Sequence, residues 1–129
     1  MRSKLEVYAL TVCFASVVIL AISAGIGGYA IIKIIKPDFT INDYQYRNIQ
    51  SNDDFWLYMK TYGTTEERKL EQRPTEEDLT KRRIQILDRA LVNERRDGVQ
   101  TLVKWAIFFL VGVISFFVHW RIASRARKE

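Results

Sequence analysis

The sequence predicts an all-α integral membrane protein, a two-span helical hairpin whose connecting segment is itself mostly helical. Three observations carry this. Val7–Ile32 contains no charged residue, Leu102–Trp120 contains Lys104 and no other, and residues 37–100 between them hold 11 Lys/Arg and 13 Asp/Glu. The 48% hydrophobic content is therefore concentrated in two blocks, and the mean hydropathy of -0.11 averages two unlike materials. Each block is about the length that crosses a bilayer, and the stretch between them has too little apolar content for a sizeable core. A soluble globular enzyme is the class this partition argues against.

Residues 1–6 form a short basic tail, with Arg2 and Lys4 against Glu6. The first transmembrane helix is placed at residues 7–36. Its uncharged run, Val7–Ile32, is 26 residues long, about 39 Å as a helix against a hydrocarbon core of about 30 Å, so it is expected to tilt. The basic leader and the small residues of 21–30 would also suit a cleaved signal peptide. The apolar region of a signal peptide is only about 7–15 residues long, however, so a retained signal anchor is expected. Lys33, Lys36 and Pro37 end the helix, because the residue before a proline is pushed out of the α region.

Within this span Ala21 and Gly25, Ser23 and Gly27, and Ala24 and Gly28 are each four apart. Such spacing lets a second helix backbone approach closely. Ala21, Gly25 and Gly28, with Gly112 and Ser115 of the second span, are the expected helix-packing residues. The partner is either the second span or a helix of another protein.

The extramembrane segment is placed at residues 37–100. Its start, DFTINDYQYRNIQ, has the alternation of a short hairpin around Asn42-Asp43. Two strands in isolation are marginal in water, so this stretch is expected to rest on the membrane surface or a partner. Ser51 precedes Asp54 with helix-start spacing and Gly63 is a suitable stop, which predicts a short aromatic helix over 52–62. Phe55, Tyr58, Met59 and Tyr62 fall on one face of it and Trp56 broadens that face. These five are candidates for docking a partner, the alternative being self-packing or interfacial membrane contact. Thr64 with Glu67 and Thr75 with Asp78 start two charged helices, over 65–73 and 76–100, separated by Pro74. The second runs without a proline into the second span, so the simplest geometry is one long helix, with Gly98 as its expected weak point.

The second transmembrane helix is placed at residues 101–122. Lys104 lies one turn inside its start, where its stem can follow the helix while the ammonium reaches the headgroups. Tyr8, Tyr29, Trp105 and Trp120, with Lys104 and Arg121, are the expected interface anchors. Residues 123–129 are again basic, with Arg125, Arg127 and Lys128 against Glu129. The positive-inside rule then puts both termini in the cytoplasm and residues 37–100, with a net charge of -2, outside the plasma (inner) membrane.

The formal charge of +5 does not point to nucleic acid, because the basic residues lie beside the spans or alternate with acids. Membrane lipids are the expected polyanion. The chain has one histidine, His119, and one cysteine, Cys13, neither with the neighbours that a metal site needs. No Gly-rich phosphate loop or nucleophile elbow is present, and Thr61-Tyr62-Gly63 lacks the Thr-Val-Gly-Tyr-Gly filter of potassium channels. No catalytic residue, cofactor, metal or small-molecule substrate is expected. The function expected is that of a non-catalytic accessory or assembly subunit, contacting other membrane subunits or a second copy of itself. The alternatives are a small homo-oligomeric channel or pore, and a membrane sensor or regulator.

Overall fold

A computed structural model describes residues 3–128. It is 87% helical, and no strand occurs among the described residues. The elements are α1 (Lys4–Ile35), α2 (Pro37–Thr40), α3 (Asp43–Asn48), α4 (Asn52–Tyr62), α5 (Thr65–Lys69) and α6 (Glu76–Ala126). Two helices, α1 and α6, are long and apolar enough to cross a membrane. The chain divides into two compact units, one made of residues up to 32 and from 97 onward, the other of residues 33–96.

In the first unit, the buried residues of α1 are Glu6, Ala9, Cys13, Ser16, Ser23, Gly27 and Ala30, with Leu20 half-buried between them. The steps alternate between three and four, the repeat of a coiled-coil seam. Every second member is alanine or serine: Ala9, Ser16, Ser23 and Ala30. The facing stripe of α6 has the same period, with Gly98, Trp105, Gly112, His119 and Ala126 buried or half-buried at seven-residue steps. A Cβ on Gly112 would sit 3.0 Å from Leu20 Cδ2, and one on Gly27 would sit 3.9 Å from Leu102 Cδ1. Leu20 therefore fills the notch that Gly112 leaves.

Gly98, expected as a weak point, lies within this seam, and α6 passes through it unbroken. Interior glycine costs a helix about 1 kcal/mol relative to alanine. A break would instead free backbone donors and acceptors on both sides, a larger cost.

The second unit is a small α cluster around Phe55, Met59 and Leu79, with Trp56, Tyr58, Leu70 and Ile86 packed against it. Its turns follow the sequence signals closely. Ser51 Oγ accepts from Asp54 N at 3.1 Å. Thr64 and Glu67 close a full capping box, and Thr75 Oγ1 accepts from Asp78 N at 3.3 Å. Gly63 stops α4 for a reason of space: its φ of -65° is an ordinary one, but a Cβ there would collide with the Met59 carbonyl and the Glu67 side chain.

Two expectations for this unit are corrected. The stretch after Pro37 forms two short helices, α2 and α3, and no hairpin. Pro37 occupies the first turn of α2, where its missing N–H costs nothing. Asn42, read as a turn centre, caps α3 by accepting from Tyr44 N at 2.9 Å. The first charged helix is also shorter than its predicted 65–73, ending at Lys69. Lys60 Nζ there donates to the carbonyls of Arg68 and Leu70, drawing the chain out of helix toward α4.

Polar contacts complete this unit. Arg73 bridges Asp53 and Glu76, each at 2.6 Å, and Asn52 Nδ2 donates to Glu76 Oε2 at 2.8 Å. Arg83 Nη1 donates to the carbonyls of Ile49 and Gln50 at 3.2 and 2.6 Å, closing the end of α3. Lys33, near the end of α1, pairs with Glu94 of α6 at 3.3 Å.

Candidate functional site

The aromatic helix α4 has two faces with different fates. Phe55 and Met59 are 0% and 2% exposed and belong to the core, so of the five docking candidates these two face inward. Trp56 and Tyr58 are half-buried against that core, and Trp56 carries the Lys60 ammonium 5.4 Å from its ring centroid. Tyr62 and Leu57 are 63% and 67% exposed.

Tyr62 does not stand free. Its ring lies 5.7 Å from that of Tyr58 and 5.9 Å from that of Tyr44, with Tyr44 and Tyr58 at 6.4 Å. Two of the three contacts are edge-on, the arrangement the ring quadrupole favours. The hydrogen bond between Tyr44 and Tyr62 holds the Tyr44 phenol above its ordinary pKa, with desolvation adding to the same direction. Tyr44 comes from α3 and was not among the sequence candidates. Its place beside Tyr58 and Tyr62 depends on the helical path of Asp43–Asn48. The result is an ordered ledge of Tyr44, Tyr58 and Tyr62, with the exposed Leu57 elsewhere on the outer surface of α4. Such a surface offers apolar area and hydrogen bonds.

Arg73 lies under the opposite end of α4. Its pKa is raised above the ordinary guanidinium value, first by the hydrogen bond it donates to Asp53, so it remains charged. Among the described residues there is no group of three or more His, Cys, Asp or Glu able to hold a metal ion.

In the first unit, the predicted packing residues separate. Gly112 and Ser115 are in the seam. Ser115 Oγ shares a 3.0 Å hydrogen bond with Ser16 Oγ, and Cys13 Sγ lies 3.7 Å from the Phe116 carbonyl. Ala21, Gly25 and Gly28 are on an exposed face, and a Cβ on Gly25 or Gly28 would meet nothing within 4 Å. Of the three small pairs in the sequence, Ser23 with Gly27 is the one buried against α6. The better signal was the seven-residue recurrence of Ala9, Ser16, Ser23 and Ala30, which spacing by four does not detect.

The expected anchors lie near the ends of the apolar stretches. Tyr8, Tyr29 and Trp120 are 57%, 49% and 49% exposed, and Lys104 and Arg121 are exposed. Trp105 is half-buried and leans on Phe108, ring centroids 5.2 Å apart. His119 packs edge-on to Tyr8 at 6.0 Å and its Nδ1 lies 2.8 Å from the Ser115 carbonyl. Beyond them Arg127 Nε donates to the buried Glu6 Oε1 at 3.2 Å, tying the two helix ends together. Arg2 and Glu129 of the basic tails fall outside the described residues.

Compared with protein families, curated proteins and solved structures, the chain matches none.

Proposed function

We propose that the chain is a two-span integral membrane protein of the plasma (inner) membrane, with both termini cytoplasmic and residues 37–100 outside. In this reading it is a non-catalytic accessory or assembly subunit of a larger membrane complex. The membrane part is supported by what α1 and α6 leave uncovered. Only 22% and 6% of their most apolar stretches are buried, whereas the core helix of a soluble protein would be mostly covered. Phe14, Leu110, Ile114 and Phe117, for example, are 60–72% exposed. Water would make that surface very unfavourable, and lipid makes it neutral.

The observation that carries the subunit reading is the ledge of Tyr44, Tyr58 and Tyr62, on a helix that also exposes Leu57. It is fixed in place by caps and a packed core, yet its apolar edge has no cover within the chain. Rigid aromatic side chains that are already ordered lose little entropy on binding, which is why they concentrate at the centres of protein interfaces. A pore of several copies is less well supported. Ser16 and Ser115 satisfy one another inside the hairpin, which leaves apolar outer faces to surround any channel.

The test is native mass spectrometry of the full chain extracted gently from its own membrane. A stoichiometric heteromer is expected, and it should be lost on Leu57→Asp with Tyr62→Ser while helical content is unchanged. A closed ring of identical chains would replace this reading with the pore.

A further inference from the structure

The clearest unexplained side chain outside the ledge is Phe39, which at 76% is more exposed than Phe14 in the middle of the first apolar helix at 72%. Its exposure is not that of a loose loop. Pro37 starts α2, Ile41 N donates back to the Pro37 carbonyl at 3.1 Å, and Thr40 Oγ1 lies 3.3 Å from the same carbonyl. Pro37 and Ile41 are both buried, so the single turn is pinned on its inner side and holds Phe39 outward. Just before it Ile35, the last residue of α1, is 69% exposed, and Lys36 between them is exposed too.

We infer that this turn is a membrane-surface anchor, with Phe39 and Ile35 set at the boundary between acyl chains and headgroups and Lys36 among lipid phosphates. The inference rests on the membrane reading above and deepens it. Its warrant is position along the chain. The uncharged run of α1 is about 39 Å long against a hydrocarbon core of about 30 Å, and with the tilt that takes up this excess Lys33 to Ile35 fall where that core ends. The headgroup layer beyond it is roughly 5–7 Å thick on each side. A helix that stops at Ile35, followed directly by a pinned turn, keeps Phe39 close to that layer instead of carrying it into water. Aromatic side chains prefer that boundary, and a lysine beside them can meet phosphate while its stem stays in apolar surroundings. The occupant is thus phospholipid, and the contact would fix how far the first helix can slide or tilt through the bilayer.

The experiment uses the full chain in liposomes of phosphatidylcholine and phosphatidylglycerol, with Cys13→Ala and one environment-sensitive fluorophore on a new cysteine. Phe39→Cys is the test position, Glu71→Cys the exposed reference, and Ile114→Cys the reference for the span. The label at 39 is expected to emit to the blue of that at 71 and to be quenched more by a shallow lipid nitroxide than by a deep one. The label at 114 should show the reverse depth preference. If 114 reports lipid while 39 matches 71 and is quenched by aqueous iodide, the anchor is overturned and the spans stand. If 39 is shielded from iodide and from lipid quenchers alike, protein covers it and the anchor is again overturned. If 114 itself reports water, the membrane reading fails and the anchor fails with it.

Discussion

The two units of this chain solve packing by opposite means. The seam between α1 and α6 is lined by Ala9, Ser16, Ser23, Gly27, Ala30 and Gly112, and Leu20 fills the notch at that last glycine. The core of the other unit is Phe55, Met59 and Leu79. On the membrane reading proposed above, the difference follows from the solvent around each unit. In water, burial of a large side chain contributes about 1.5–3 kcal/mol, so a small cluster invests in its largest residues. In lipid that driving force is absent, because acyl chains are as apolar as leucine. Helices there gain from close approach and from hydrogen bonds such as that between Ser16 and Ser115. Size inside and small residues outside would serve neither unit.

The largest expected effect tests the aqueous half of that comparison. Phe55→Ala should destabilise the 33–96 unit by about 3–5 kcal/mol, because it removes a fully buried ring from a cluster with few other large members. Hydrogen exchange should show the loss over α4 and the 76–90 part of α6. Protection over 10–25 should persist. A residue that merely docked a partner would leave exchange in the free chain unchanged, so this measurement separates core from ledge.

The lipid half is tested by adding volume. Gly112→Val must displace Leu20, and overpacking of this kind costs about 1–3 kcal/mol. Gly25→Val meets open space within the chain and should leave the pair intact. With Cys13→Ala, Ser16→Cys and Ser115→Cys in one chain, disulfide closure under mild oxidation gives the readout. Gly112→Val should slow it and Gly25→Val should not. Equal slowing by both would mean that the exposed glycine face is also packed, against another molecule.

What could be read from the sequence divides along the same line. Both apolar helices, the boundaries of α4, the capping box at Thr64 and the continuity of α6 into the second apolar stretch were legible, because each rests on a local signal: charge-free length, cap spacing or the absence of proline. The division of α4 between core and ledge was not. Phe55, Tyr58, Met59 and Tyr62 share one helical face, and only the position of Leu79 on a distant element decides that 55 and 59 go inside. The same holds for the seam. Gly25 and Gly28 each lie four residues after an alanine, the spacing of a packing motif, but the face that turns inward is set by the heptad phase of all eight positions from Glu6 to Ala30, read together with its match on α6. The helix in place of a hairpin after Pro37 depends on Asn42 acting as a cap, and Asn-Asp is equally good chemistry for a turn.

The smallest effect concerns the ledge and its pH dependence. The Tyr44 phenol is raised in the folded chain, chiefly by its hydrogen bond with Tyr62. A raised folded value means that the neutral phenol is the form the fold prefers. The stabilisation is therefore fully present below the ordinary phenol value and is lost as pH rises through the higher folded value. Because Tyr44 is well exposed, the loss should loosen the ledge locally without unfolding the unit. Ultraviolet titration of tyrosinate should find one late-ionising phenol that moves toward the ordinary value in Tyr62→Phe, which keeps the ring contact at 5.9 Å but removes the hydroxyl. Near-ultraviolet circular dichroism should lose its tyrosine signal in the same pH range, with helical content unchanged. If Tyr62→Phe leaves the late ionisation in place, burial of the Tyr44 ring would have to supply the shift. The ledge would then be held by ring packing, and a partner would find two free hydroxyls on it in place of a bonded pair.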